Sequence, residues 1–171
     1  MEITVKDLVG KTGADVNVEE LKKQLRRLPE AERFSFIQEC LAHGLISWAL
    51  ALAKSCLRSG EYVARLLEHG LRVADASSIK YWLECAVAKL GGRRVVRIVA
   101  SQLESNPEGV AKAVYWLPGL LSRKELKTAA AFDELVRAAG EKGILRKPKV
   151  MPNPDKPGHV LFGNVWAEDD T

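Results

Sequence analysis

The chain has 171 residues, 47% hydrophobic and 28% charged, with a formal net charge of +4 and a pI near 9.0. This is ordinary globular composition in a chain long enough for one domain with its own core, and it excludes wholesale disorder. Mild basicity leaves an acidic protein surface and nucleic acid both open as partners. The three cysteines, Cys40, Cys56 and Cys85, are odd in number and fall in helical patterns, which fits a reducing compartment better than a disulfide framework. The start, Met1 to Lys6, lacks a charged-then-apolar leader pattern. The longest apolar run, Leu45 to Ala53, is shorter than the about 20 residues that span a bilayer. The expectation is a soluble, cytoplasmic protein with no membrane partner.

Thr4 to Val9 reads as a short helical turn closed by Gly10. Gly10-Lys11-Thr12 resembles the end of a phosphate-binding loop. However, Val5 stands where that pattern needs its first glycine, and Gly13 and Asp15 break the helix that should follow, so the stretch reads as a loop. The first firm helix starts at Asn17, with Glu20 placed to complete a capping box and Val18, Leu21, Leu25 and Leu28 on one stripe. Pro29 ends it and suits the start of a second helix, about 30–43, which presents Phe34, Ile37 and Leu41 and stops at Gly44. The third, about 45–59, is apolar nearly all round and must lie between neighbours, with Gly60 as its stop.

The fourth helix, about 61–73, turns Val63, Leu66, Leu67 and Leu71 inward and Arg65, Glu68 and Arg72 outward. Ser77 or Ser78 caps a fifth, about 79–90, which ends at Gly91-Gly92. A sixth, about 93–105, carries Val95, Val96, Ile98, Val99 and Leu103. Asn106-Pro107 is a strong start for a seventh, interrupted by Pro118-Gly119. Ser122 with Glu125 forms a second capping box, opening an eighth helix to about Ala139 that Gly140 and Gly143 close. Beyond Gly143, Pro148, Pro152, Pro154 and Pro157 exclude helix. The expected organisation is a helical domain over 1–143 and an extended, Pro-rich tail over 144–171. The tail's Val160 to Trp166 segment is apolar enough to pack on the domain.

Tryptophan recurs at Trp48, Trp82 and Trp116, gaps of 34 residues, each inside an apolar run. A second correspondence, 32 residues apart, pairs Val63 with Val95, Leu67 with Val99 and Leu71 with Leu103. Repetition on this scale marks stacked supersecondary units that bury their apolar faces against one another, which places the three tryptophans in the core.

Chemistry is sparse. Cys40 and His43 share a helical face, but two ligands do not make a zinc site, which needs three or four, and no second Cys or His pair supplies the rest. His69 stands alone, and no nucleophile–base–acid spacing is legible. The expectation is a non-enzyme without metal or cofactor. The most informative polar stretch is Gly91-Gly92-Arg93-Arg94 with Arg97 one turn on. Arginine is electrostatically misplaced at a helix N-terminus unless an anion binds there. Lys89 adds charge, and Arg65, matching Arg97 at 32 residues, is expected to extend the same ridge. From Lys89 to Lys149 there are 13 Lys or Arg against 6 Asp or Glu.

The paired helices and near-34-residue period resemble the HEAT and armadillo-like helical-repeat class. Tetratricopeptide repeats share the period, but anchoring their pattern on Trp48 puts Ala51-Leu52 where Leu-Gly belongs and Ser55 where Tyr belongs. The resemblance implies a right-handed α-solenoid of stacked antiparallel helix pairs. By analogy it implies a protein-binding adaptor or scaffold, with a nucleic-acid binder using the basic second half as the alternative. A small hydrolase or glycosylase is a third, weaker reading.

Overall fold

A computed structural model of the chain describes residues 4–11, 16–121, 126–145, 149–152 and 160–163. A 3-10 turn, Val5–Leu8, is closed at its start by reciprocal bonds between Thr4 and Asp7. The helices among the described residues are α1 Val18–Arg27, α2 Glu30–Ala42, α3 Ile46–Cys56, α4 Gly60–Val73, α5 Ile79–Leu90, α6 Gly92–Ser101, α7 Pro107–Leu120 and α8 Leu126–Glu141. Strands β1 Lys149–Pro152 and β2 Val160–Gly163 then pair antiparallel, with Val150 opposite Phe162. The described domain is therefore all-α, followed by one small hairpin. The expected packing of Val160 to Trp166 and the Ser122–Glu125 capping box fall on side chains and residues outside the described set.

Local chemistry explains most helix ends. Asn17 accepts from the Glu20 amide at 3.0 Å, while the Glu20 carboxylate is engaged by Gln24 and Lys23. Gly44 has φ 72°, and the amides of Gly44 and Leu45 reach back to Leu41 and Cys40 at 2.9 and 2.8 Å, the double bond of a Schellman terminus. Asn106 accepts from the Gly109 amide and also donates to the Leu71 carbonyl at 2.8 Å, tying the start of α7 to the end of α4.

Several ends differ from the sequence reading. Gly60 opens α4 rather than stopping α3, which ends at Cys56; Ser59 is the cap, accepting from the Glu61 amide. Neither Ser77 nor Ser78 caps α5 through its side chain. Asp75 collects the amides of Ser77 and Ser78 and the Ser77 hydroxyl on one oxygen, and its carbonyl accepts from Ile79. α6 stops at Ser101, four residues early. α7 runs through Pro118, whose missing N–H falls in the last turn, where the Leu121 amide still closes on Leu117 at 2.9 Å. α8 likewise continues through Gly140 to Glu141, and Gly143 takes the positive φ.

Packing arranges the helices in two rows. α1, α3, α5 and α7 touch in succession, as do α4, α6 and α8, and α2 joins α4 through a Phe34–Tyr62 stack with centroids 4.5 Å apart. α4 and α5 run antiparallel: Gly70 meets Trp82 near their connection, and Gly60 faces Leu90 at the far ends. α6 and α8 run parallel, because Gly92 at the start of one abuts Thr128 at the start of the other. The 32-residue correspondence holds for two of its three pairs: Val63 and Val95 are both fourth and Leu67 and Val99 both eighth in their helices, all buried, whereas Leu71 lies within α4 and Leu103 falls half-buried past the end of α6.

The tryptophan period does not hold in the same way. Trp48 and Trp82 are third and fourth in α3 and α5, whereas Trp116 is tenth in α7. Of the three, Trp82 is buried at 2% exposure, and Trp48 and Trp116 only lean on the core. Their indole N–H groups donate to the carbonyls of Lys11 (3.3 Å) and Ala76 (2.7 Å), so their rims stay at the surface. Early termination of α6 lets α7 begin sooner, which puts Trp116 out of step.

Trp82 lies against Gly70, where an added Cβ would fall 2.4 Å from the ring. Trp82→Ala should cost about 3–5 kcal/mol and Gly70→Ala about 1–3 kcal/mol in urea unfolding. Gly140→Ala, with open space around the site, should be neutral or stabilising. Equal effects of the two glycine substitutions would contradict this packing.

The Asp75 carboxyl is held down from 3.8 to about 2, first by the Ser77 hydroxyl and then by the Ser78 amide. Its contribution to stability should be complete above its unfolded value and disappear as pH falls from about 4 towards 2. Carboxyl-detected NMR titration should place its midpoint near 2; an ordinary aspartate midpoint would remove this cap.

Candidate functional site

The expected anion-binding residues are not gathered into one ridge. Lys89 donates to the Leu57 carbonyl at 2.9 Å, just past the end of α3. There it works beside Arg33, whose guanidinium reaches the carbonyls of Cys56 and Leu28 at 2.9 Å and Arg26 at 3.1 Å. These cations satisfy orphan carbonyls at helix C-termini, where the helix dipole favours positive charge. Glu30 completes the junction by accepting the amides of Ser59 and Arg58, which lowers its pKa. Arg65 lies over the Phe34 ring, 5.0 Å from its centroid, extending the Phe34–Tyr62 stack.

Gly91 is exposed with φ 78° and forms the single-residue joint between α5 and α6. Gly92 is buried: a Cβ there would fall 2.7 Å from Leu121 and 2.9 Å from Thr128. The pair of glycines thus permits close helix packing, and side chains cover the second of them. The Arg94 guanidinium lies over Gly60 at the start of α4.

Arg93 and Arg97 face another way. With Val96, Ala100 and Leu103 they form one wall of a groove of about 550 Å³ between α6 and α8. The other wall is the stripe Lys127, Ala130, Ala131, Glu134, Leu135 and Ala138, spaced to share one face of α8. Because Gly92 meets Thr128, the two helices present their N-termini at the same end of this groove. Arg93, Arg97 and Lys127 therefore share that end with the positive poles of two helix dipoles. Towards the other end the walls carry Ala100, Leu103 and Ala138, and Glu134 stands between.

Reading charge along the chain singled out Arg93 and Arg97 but missed Lys127 and Glu134. Their signal was the i, i+3, i+4, i+7 run from Lys127 through Ala130 and Ala131 to Glu134, which by itself marks any helix face. Arg33, Glu30 and Asp75 were missed too. Only Asp75, just ahead of an apolar helix, had a readable capping signal.

The remaining polar groups carry little chemistry. Cys40 is fully buried while His43 is exposed, so the two do not converge. Among the described residues no three His, Cys, Asp or Glu side chains gather as metal ligands, and no helix is long and apolar enough to cross a membrane. His69 packs its ring against Trp82 at 5.8 Å. Burial pushes the Cys40 thiol up to about 12, helped by the Glu39 charge, and burial also raises Cys56 and Cys85. All three are protonated thiols at neutral pH and weak nucleophiles. Iodoacetamide should modify them slowly in the native chain and fast after urea unfolding; rapid native labelling of any one would mark a reactive cysteine instead.

No family model matches this chain, nor does any curated protein or solved structure, so its functional reading stands on the chemistry of its own residues.

Proposed function

We propose that this protein is a non-enzymatic adaptor that binds another protein through the surface of a short, right-handed, HEAT-like α-solenoid in the cytoplasm. The observation that carries this reading is the two-row arrangement, in which alternate helices touch. Stacked helix pairs commonly use such faces to hold extended partners. Buried, protonated cysteines suit a reducing compartment. The described site holds arginines, a lysine, one glutamate and apolar side chains, a set suited to recognition.

Nucleic-acid binding is the alternative, favoured by the convergence of Arg93, Arg97 and Lys127 at one end of the groove. A nucleic-acid track would need cations along its whole length. Here Lys89 and Arg65 are engaged elsewhere, and Glu134 lies inside the groove.

Affinity capture with the tagged full-length chain from its native host, with and without nuclease, separates the two. The adaptor reading expects a defined set of proteins to survive nuclease treatment. Recovery that depends entirely on nucleic acid would replace it with the alternative.

A further inference from the structure

We infer that the α6/α8 groove is a docking site for an amphipathic segment of a partner protein, with carboxylates clustered at one end and large apolar side chains along the rest. This rests on the adaptor reading and names the part of the surface that does the binding. Three observations carry it.

The groove is polarised by construction. Gly92 admits Thr128 so closely that both helices begin at one end, and Arg93, Arg97 and Lys127 add three full charges to the two dipole ends there. Arginines at i and i+4 repel, and the positive pole of α6 makes both unfavourable. A carboxylate cluster would relieve that repulsion and receive guanidinium forks.

These cations also lack the partners that several other surface cations have. Elsewhere on the surface Lys22 meets Glu19, Lys80 meets Glu84, Lys112 meets Glu108 and Arg137 meets Glu141. Arg93, Arg97 and Lys127 have no ion-pair or hydrogen-bond partner among the described residues.

The rest of the groove suits side chains better than nucleotides. Its walls beyond the charged end are Ala100, Leu103, Ala131 and Ala138, with no aromatic ring on which a base could stack, and Glu134 would repel a phosphate backbone. Small alanines let another backbone approach closely. From Lys127 to Ala138 the α8 wall runs about 17 Å, three helical turns, which matches helix-in-groove recognition.

The test uses the full-length chain and a labelled amphipathic peptide of about 14 residues, about 21 Å as a helix. It carries leucines on one face and carboxylates in the last turn, where its own dipole is negative. Fluorescence anisotropy should show saturable binding that weakens as salt rises. R93E/R97E and K127E should each weaken it by about tenfold or more. Ala130→Phe, an exposed position on the α8 wall, should weaken it without changing any charge. A matched peptide with lysines in place of its carboxylates should prefer R93E/R97E over wild type, a reversal that damage to the fold cannot produce.

Equal binding of the acidic peptide to wild type and R93E/R97E would overturn the proposal. So would tighter binding of a labelled single-stranded RNA through the same residues. If E168K/D169K/D170K raises peptide affinity, the chain's own acidic residues compete for the groove, and self-occupation replaces a partner. Host proteins that survive nuclease and are held equally by R93E/R97E would leave the adaptor reading standing and remove this groove from it.

Discussion

The contact between Gly70 and Trp82 is the constraint around which the helices are placed. α5 touches α3, α4, α6 and α7, so the depth at which it sits on α4 sets the position of everything it carries. That depth depends on a missing Cβ, because any side chain on the Gly70 backbone would enter the indole ring. The indole N–H is buried without a partner among the described residues.

A second junction explains why the basic charge of the chain does not become a continuous ridge. The end of α3 leaves free carbonyls, and Arg33 and Lys89 satisfy two of them while Glu30 holds the amides of the connection that follows. Arg65 is similarly committed to an aromatic stack. These side chains are structural ties: they keep their charge, but their heads are held at helix ends or on a ring instead of in the groove. The cations of the groove, Arg93, Arg97 and Lys127, gather where α6 and α8 begin.

That concentration follows from packing rather than from abundance of charge. Gly92 brings the α6 start against Thr128 and Leu121, which aligns two helix N-termini side by side. Arg93 and Arg97 follow on the exposed flank of α6, and Lys127 follows on α8. A larger residue at position 92 would separate the starts and dissolve the polarity of the groove. The glycine pair thus serves the site indirectly, by closing a helix contact, and not by cradling an anion with its own backbone.

Much of the local structure was legible in the chain itself. Helix existence and order followed from apolar periodicity, and Asn17, Gly44 and Asn106 marked their helix ends because capping is a matter of a few neighbouring atoms. The 32-residue match of Val63 with Val95 was also real, since both helices begin on the glycine three residues earlier. The 34-residue spacing matched near-equivalent positions for Trp48 and Trp82 but not for Trp116, which a shortened α6 and an early α7 put out of step, as only the observed helix ends reveal. Which cations are free, and which are bound to carbonyls 23 or 32 residues away, is set by contacts between distant segments. The groove is of the same kind: its walls come from α6 and α8, its polarity from a glycine contact between their starts, and no window of sequence contains both. Sequence determines what each segment can form alone, and the tertiary structure decided which charges remained unsatisfied, because satisfaction is a property of neighbours in space.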